Sequence, residues 1–330
     1  GRNTVFSNIG FDTFCSMEYM NGLTDSPNGW SNDDVLSREI MKTLDSTSGP
    51  DFTMAITVQS HGKYDGIALD DPTIKVTGAP EGKEQAYEYY VNEIHEVDRM
   101  IDTLIKELSN RKEETVLVLY GDHLPSLDIQ KDDLSNANLY QTQYVVWDNM
   151  NLKKKTKNLH AYQLYAEVLD RIQIHEGMIT KYHQQTKHRS KLYLTGLTTL
   201  SYDLLYGDNY AYDGKNPFKQ TELQMGTEPV KLTSVQKTKS GYRVVGSGFT
   251  PYCKVYYDGT LVESEWISLE CLQLQDEFEL DEADKKDSGE PETEVTEPRD
   301  VPNAFVVEVQ SDDGVVLSST QAYPASQVKK

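Results

Sequence analysis

The chain has 330 residues with 53 acidic and 32 basic side chains, which gives a formal net charge of −21 at pH 7. Binding to nucleic acid without sequence preference requires a basic face, so this charge argues against a nucleic-acid partner. No apolar run approaches the roughly 18 residues of a membrane span. The three cysteines are too few for a disulfide framework, and their spacing leaves open whether Cys253 and Cys271 pair.

An apolar run at residues 52–58 (FTMAITV) predicts the first buried strand. A short continuous run of this kind suits a strand that is covered on both faces, as in a parallel sheet. The polar residues 59–62 (QSHG) follow it directly. His61 is therefore expected at the carboxyl end of a strand, where open α/β sheets place their ligand sites.

A helix over residues 84–108 is predicted next, because apolar residues recur there at three- and four-residue spacing. The recurring residues are Tyr87, Val91, Ile94, Val97, Ile101, Leu104, Ile105 and Leu108. The loop 109–112 (SNRK) leads into a second apolar run at residues 115–120. Since strand–helix–strand connections are right-handed, we expect the two strands to be parallel.

The second strand ends abruptly in Gly121, Asp122 and His123. A carboxylate and a neutral imidazole together suit Zn²⁺, Mn²⁺ or Mg²⁺. Gly121 provides the backbone freedom for both side chains to turn toward one ion. In the alternative interpretation, Asp122 caps the next helix and His123 packs beside it.

The remaining elements divide the chain into two predicted domains. A short strand at 143–147 and a helix at 160–172 continue the α/β pattern, which extends to about residue 225. Residues 226–330 show short alternating strands separated by glycine-containing turns, which predicts a small β-sandwich of the immunoglobulin-like kind. An acidic segment at about 272–302 is expected to be a solvated insertion in that sandwich.

Three ordered segments carry a resemblance to a known family. They are residues 51–66 (DFTMAITVQSHGKYDG), 87–108 (YEYYVNEIHEVDRMIDTLIKEL) and 115–127 (TVLVLYGDHLPSL). Together with residues 2–14 (RNTVFSNIGFDTF) and 200–207 (LSYDLLYG), they resemble the extracellular catalytic domain of lipoteichoic acid synthases. These enzymes belong to the sulfatase-like branch of the alkaline phosphatase superfamily. Separately, residues 246–259 (GSGFTPYCKVYYDG) resemble an immunoglobulin-like module of the IPT/TIG type.

The resemblance implies an α/β fold with a mostly parallel sheet flanked by helices, and a phosphoglycerol transferase activity. Such enzymes bind one divalent cation, usually Mn²⁺, with Mg²⁺ or Zn²⁺ as alternatives. A threonine nucleophile takes glycerol phosphate from phosphatidylglycerol and passes it to a growing polyglycerol phosphate chain. The resemblance also implies an extracellular location on a Gram-positive bacterium, at the membrane surface, in a membrane-anchored parent protein.

Four residues of this chain match functional positions of the family. Asp122 and His123 match two metal ligands. His61 matches a histidine that contacts the phosphoglycerol group or the developing charge, and Arg2 matches an arginine that binds the phosphate. A metal ion together with an arginine fork is the expected way to neutralise a phosphoryl group during its transfer.

The chain departs from the family pattern at its amino-terminal end. The family's threonine nucleophile and acidic metal ligand precede the arginine, and Gly1-Arg2 does not resemble a natural start. We therefore expect an excised segment. Asp122 and His123 give two metal ligands, whereas a catalytic site usually has three or more. The sequence thus predicts a partial catalytic domain that is inactive by itself.

Two other interpretations remain open. A sulfatase or a phosphoethanolamine transferase belongs to the same superfamily, although no C-x-P-x-R motif of a sulfatase is visible. Alternatively, the chain is a non-catalytic cell-wall or carbohydrate-binding fragment, in which aromatic residues of the β domain stack on sugars. The candidate aromatic residues are Tyr252, Tyr256, Tyr257 and Trp266.

Overall fold

The structure, a computed structural model, describes residues 2–275, 277–280 and 298–329. Most of the predicted acidic insertion, namely Asp276 and residues 281–297, lies outside the described residues. Among the residues that are described, no helix combines the length and the apolar character that crossing a membrane requires.

The chain divides into two compact units. The first unit consists of residues 1–104 and 221–330, and the second consists of residues 105–220. The two domains proposed from the sequence, with their boundary near residue 225, stay a prediction.

The secondary structure mixes helices with short strands. The helices are α1 (Arg2–Asn8), α2 (Val35–Asp45), α3 (Glu84–Asn110), α4 (Ala161–Arg171), α5 (Met178–Gln185) and α6 (Tyr193–Leu205). The strands are β1 (Thr13–Phe14), β2 (Val116–Tyr120), β3 (Tyr144–Asp148), β4 (Gln224–Met225), β5 (Lys231–Thr238), β6 (Gly241–Ser247), β7 (Cys253–Tyr257), β8 (Thr260–Val262), β9 (Ser264–Ser268), β10 (Cys271–Leu274), β11 (Ala304–Gln310), β12 (Val316–Ser319) and β13 (Tyr323–Pro324).

Helix α3 confirms the predicted helix and extends it to residue 110. Its apolar residues Val97 and Met100 pack on Leu36 of α2 in a small buried cluster of the first unit. Their three-residue spacing places them on one face of the helix, as the sequence pattern requires. Burial of this face, rather than helix propensity alone, is what stabilises such a helix in water.

The predicted strand at residues 52–58 is wrong. The segment belongs to no strand, and the side chain of Phe52 is 68% exposed, with Met54 and Ile56 also exposed. A strand with apolar side chains on both faces needs neighbouring strands and a layer on each face. The described residues place neither around this segment. Consequently the expected parallel pair of 52–58 with 115–120 does not form.

The second unit contains the strand that precedes Asp122 and His123. Strand β2 pairs with β3 in antiparallel register, with Val116 opposite Asp148 and Tyr120 opposite Tyr144. The predicted strands at 115–120 and 143–147 and the predicted helix at 160–172 are therefore confirmed within one residue. Their pairing is antiparallel, whereas the expectation was a mostly parallel sheet. In the described residues a parallel pair is formed by β1 and β4.

The carboxyl-terminal part of the first unit is a separate antiparallel region. One sheet has the strand order β5-β6-β10-β9 and the other has the order β12-β11-β7-β8, with β13 beside β11. Fully buried side chains from both sheets form one core, among them Val235, Val244, Val255, Phe305 and Val307. An α/β fold with a separate β region, the predicted class, is thus confirmed, and the immunoglobulin-like assignment of that region stays a prediction.

The cysteines form no disulfide in the structure, because Cys15, Cys253 and Cys271 are all free thiols. Cys253 lies in β7 and Cys271 in β10, which belong to different sheets. Cys253 is buried in the shared core and accepts a hydrogen bond from the backbone N–H of Thr250 at 3.3 Å. Burial raises the pKa of Cys253, so that the neutral thiol is favoured there.

The close packing around Gly246 predicts that one added methyl group lowers the stability of the β region. A Cβ at Gly246 would lie 1.9 Å from the backbone oxygen of Lys231 and 2.5 Å from the ring of Phe249. We therefore expect Gly246→Ala to lower the free energy of unfolding by about 1–3 kcal/mol. Gly49→Ala is the control, because a Cβ there meets no atom within 4 Å, and its effect should stay within about 0.5 kcal/mol. Equal urea midpoints for the two variants would contradict the packing described.

Candidate functional site

Asp122 and His123 follow the last residue of β2 in an exposed turn. Gly121 donates its N–H to the backbone oxygen of Gln143, the residue before β3, at 3.2 Å. The backbone N–H of His123 then donates to Oδ1 of Asp122 at 2.8 Å. The Asp122 and His123 side chains are 81% and 62% exposed. The pair is thus preformed by the chain itself and open to solvent.

The hydrogen bond of the His123 ring decides which nitrogen carries the proton. Nδ1 lies 2.8 Å from the backbone oxygen of Leu124, and a carbonyl oxygen can only accept, so Nδ1 donates. In the neutral ring Nε2 then presents a lone pair, and it lies 3.6 Å from Oδ2 of Asp122. Histidine ligands of metals commonly donate their other ring N–H to a carbonyl or a carboxylate in this way.

Two acceptors at this separation suit a shared cation. Metal–ligand distances of about 2.0–2.2 Å put two ligands of one tetrahedral ion about 3.4 Å apart. The chemistry and spacing of Asp122 and His123 therefore fit two positions of a divalent metal site. Within the described part of the chain, no group of three or more His, Cys, Asp or Glu side chains is placed to hold a metal.

His61 lies in a turn of the first unit that other segments hold in place. Its backbone N–H donates to the oxygen of Val58 at 3.0 Å, and Nδ1 lies 3.0 Å from the backbone oxygen of Gly62. The Asn28 side chain donates to the backbone oxygen of His61 at 3.0 Å. The Trp30 ring meets the His61 ring edge-on, with centroids 5.2 Å apart. These contacts hold the exposed His61 side chain beside Trp30 and Asn28.

A buried carboxylate fixes the backbone just before His61. Asp33, with only 2% of its surface exposed, accepts the N–H of Val58 at 2.9 Å and the N–H of Gln59 at 3.0 Å. In return, the Gln59 side-chain oxygen accepts the N–H of Asp33 at 2.9 Å. Burial raises the pKa of the Asp33 carboxyl, and the two backbone donors oppose that rise.

Glu93 of α3 joins the same buried polar group. Its carboxylate is 5% exposed and accepts hydrogen bonds from the side chains of Gln59 and Tyr89. One oxygen, Oε2, has no partner among the described residues. Burial raises the pKa of Glu93, and the nearby negative charges of Glu96 and Asp33 raise it further. We call this group of buried polar side chains the Asp33 network; its members are Asp33, Gln59, Tyr89 and Glu93. The network fixes the backbone that leads into the His61 turn.

Sequence reasoning missed the Asp33 network. Asp33 precedes an amphipathic helix, a position where an acidic residue ordinarily caps the helix. Glu93 stands in a helix that is rich in charged residues, where a solvated position is the ordinary expectation. The one local signal was Gln59, a polar residue directly after an apolar run, but its partners are 26 and 34 positions away in the chain.

Arg2 is the first residue of α1 and is exposed. The helix is anchored farther along, because Ser7 donates its hydroxyl to the backbone oxygen of Thr221 at 2.5 Å. The Phe6 ring packs on Phe11 and Phe14, with centroids 5.3 and 5.1 Å apart. Arg2 and His61 belong to the first unit, whereas Asp122 and His123 belong to the second. The roles assigned to all four residues stay predictions.

The fold places the chain in a known class. It resembles the structure of the Streptococcus pyogenes phosphoglycerol transferase GacH in complex with sn-glycerol-1-phosphate, with a TM-score of 0.50 and 20% sequence identity. The similarity covers 67% of this chain and 62% of GacH. This similarity shows the fold, an α/β sulfatase-like fold with a separate antiparallel region toward the carboxyl-terminal end.

The family follows from the sequence comparison. Residues 1–174, just over half of the chain, match the sulfatase family, and the chain belongs to that family. A putative cyclic β-1,2-glucan modification protein of Rhizobium meliloti is 31% identical over 172 residues. That match covers 47% of this chain and 26% of the relative, so the chain spans about a quarter of the length of this curated relative.

The Asp33 network predicts a pH-dependent effect of Glu93→Gln. Because the folded-state pKa of Glu93 is raised, the stability linked to this group is present below the unfolded pKa and is lost as the pH rises through the folded value. Glutamine has the same shape without the charge. We therefore expect Glu93→Gln to raise the thermal midpoint at about pH 8 and to have little effect near pH 4.

Asp98→Asn on the exposed side of the same helix is the control, and it should track the wild type at every pH. The measurement is thermal unfolding by circular dichroism across this pH range. Parallel pH profiles for wild type and Glu93→Gln would mean that Glu93 does not titrate as a buried group.

Proposed function

We propose that this chain is part of a metal-dependent phosphoglycerol transferase of the lipoteichoic acid synthase type, acting outside the cell. The observation that carries the proposal is the 3.6 Å separation of Asp122 Oδ2 and His123 Nε2 at the end of β2, in a chain of the sulfatase family. The similarity to GacH supports phosphoglycerol as the transferred group, because GacH is a phosphoglycerol transferase whose structure holds sn-glycerol-1-phosphate.

Each candidate residue has a chemical role in this proposal. A bound divalent cation, Mn²⁺ in first place and Mg²⁺ or Zn²⁺ as alternatives, supplies positive charge to the phosphoryl group during its transfer. Asp122 and His123 would hold it at the end of β2. His61 would contact the phosphoglycerol group or the charge that develops during the transfer. Arg2 would bind two phosphate oxygens with its guanidinium fork.

The proposed donor is phosphatidylglycerol, and the proposed acceptor is a hydroxyl of polyglycerol phosphate. A lipid donor makes the membrane surface a partner of the whole protein, which we propose is membrane-anchored in a Gram-positive bacterium. The description of the Rhizobium meliloti relative as a glucan modification protein supports a saccharide hydroxyl as a second acceptor to test. The threonine nucleophile is proposed to lie outside residues 1–330, which leaves the chain inactive by itself.

The Asp122–His123 pair, here called the metal pair, predicts how the chain should respond to titration with Mn²⁺. Two exposed protein ligands should bind Mn²⁺ weakly, and sn-glycerol-1-phosphate should strengthen the binding because its phosphate oxygens supply further ligands. Asp122→Asn and His123→Gln should each weaken binding at least about tenfold. Asp132→Asn, an exposed residue of the same loop, should have no effect. Binding that survives both ligand substitutions in isothermal titration would contradict the assignment of the site.

The same titration separates the members of the superfamily. We expect sn-glycerol-1-phosphate to strengthen Mn²⁺ binding more than O-phosphoethanolamine or an alkyl sulfate at equal concentration. A larger effect of the sulfate ester would favour a sulfatase, and a larger effect of O-phosphoethanolamine would favour a phosphoethanolamine transferase. If no phosphate or sulfate ester changes Mn²⁺ binding, the non-catalytic interpretation is favoured instead.

A turnover assay tests the position of the nucleophile. The isolated chain, supplied with Mn²⁺ and phosphatidylglycerol vesicles, is expected to release no diacylglycerol above the level of Asp122→Asn. Metal-dependent release that is lost in Asp122→Asn would support the transferase chemistry and show that the nucleophile lies within this chain.

A further inference from the structure

The first unit contains a groove that the proposed phosphoryl transfer does not use. Its volume is about 660 Å³, within the range of about 300–1,000 Å³ that is usual for small-ligand sites. The groove is lined by Met20, Gly22, Leu23, Pro251, Tyr252, Lys254, Trp266, Gln310, Ser311, Asp312 and Gly314. Neither Arg2 nor His61 is among these residues. We call it the Tyr252–Trp266 groove.

Two aromatic side chains form its apolar wall and are held in place by the β region. Tyr252 and Trp266 are both partly buried and pack against the core of the two sheets. The indole Nε1 of Trp266 donates to the backbone oxygen of Phe249 at 2.9 Å, which fixes the ring. The backbone oxygen of Tyr252 accepts the N–H of Gln310 at 3.3 Å. Rigid aromatic surfaces of this kind bind a ligand at a low cost in conformational entropy.

Polar groups stand beside the aromatic wall. Lys254 and Asp312 are exposed and provide a donor and an acceptor. The amide nitrogen of Gln310 donates to the Tyr256 hydroxyl at 2.9 Å and to Glu308 at 2.8 Å. With both amide hydrogens engaged, the side-chain oxygen of Gln310 keeps acceptor capacity. An apolar face with donors and acceptors next to it matches a sugar ring, which has C–H faces and hydroxyls around its edge.

The charge around the groove argues against an anionic ligand. Burial raises the pKa of Tyr252, and the negative charges of Asp312, Glu18 and Asp25 raise it further. Lys254 is the basic residue that lines the groove. The three negative charges that act on the Tyr252 side chain disfavour a phosphate polymer or an anionic lipid surface at that aromatic ring.

We propose that the Tyr252–Trp266 groove binds the sugar rings of a neutral glycan, with pyranose faces stacked on Tyr252 and Trp266 and hydroxyls bonded to Lys254, Asp312 and Gln310. Such a site would hold a polysaccharide surface or acceptor against the first unit. It requires neither the metal pair nor a phosphoryl group, and therefore stands or falls independently of the proposed transfer reaction.

The test uses the whole chain and three soluble probes. These are neutral oligosaccharides of glucose, neutral oligosaccharides of N-acetylglucosamine, and poly(glycerol phosphate), each titrated by isothermal calorimetry. We expect at least one of the neutral oligosaccharides to bind, and poly(glycerol phosphate) to bind more weakly. Tyr252→Ala and Trp266→Ala should each weaken the neutral binding about tenfold or more.

Variants of exposed residues separate a loss of glycan binding from a loss of folding. Trp266 packs on the core, so Trp266→Ala is judged only if its thermal midpoint stays near that of the wild type. Lys254→Ala and Asp312→Ala change exposed side chains and should weaken neutral binding without unfolding the chain. Tyr140→Ala, which removes a tyrosine that is 95% exposed in the second unit, is the matched control and should bind as the wild type does. Asp122→Asn should also bind the neutral probes normally.

Four results would overturn the proposal. The first is the absence of binding by either neutral series, and the second is stronger binding of poly(glycerol phosphate). The third is neutral binding that Tyr252→Ala, Lys254→Ala and Asp312→Ala all leave unchanged. The fourth is concentration-dependent dimerisation in light scattering that Tyr252→Ala abolishes, because a second copy of the chain would then occupy the groove.

Discussion

The buried carboxylate of Asp33 is the interaction on which the position of the His61 turn depends. It accepts hydrogen bonds from the N–H groups of Val58 and Gln59, which lie 25 and 26 positions farther along the chain. These N–H groups end an apolar stretch that joins no sheet in the described part of the chain, so a side chain satisfies them where a neighbouring strand ordinarily would. Gln59 and Glu93 connect this contact to α3. The Asp33 network thereby joins the residues before α2, the residues before His61 and helix α3.

The sequence predicted those elements whose stabilising contacts lie near them in the chain or follow a simple period. Helix α3 was predicted because its apolar face repeats along the helix, and β2 and β3 because their apolar runs are short and bounded by turns. Residues 52–58 have the same apolar character but form no strand. Strand formation depends on partners that a local pattern does not contain, and the same reason explains why the antiparallel pairing of β2 was not foreseen.

The candidate site was predictable to a similar extent. Asp122 and His123 were found from the sequence because they are adjacent and follow the end of a strand. The structure places Oδ2 of Asp122 3.6 Å from Nε2 of His123. The bond from His123 to Leu124, which decides the tautomer, depends on the local turn and could not be read from residue types. Asp33 and Glu93 escaped prediction because acidic residues are ordinarily solvated, and only long-range packing makes these two an exception.

The exposed stretch around Phe52, Met54 and Ile56 also affects how the polypeptide behaves in solution. Exposed apolar backbone outside any sheet is a segment with which another chain can pair. At low ionic strength the net charge of −21 keeps the chains apart. The screening length falls from about 30 Å at 0.01 M salt to about 3 Å at 1 M, whereas the apolar attraction persists. We therefore expect the chains to repel one another in dilute buffer and to associate through this stretch in concentrated salt.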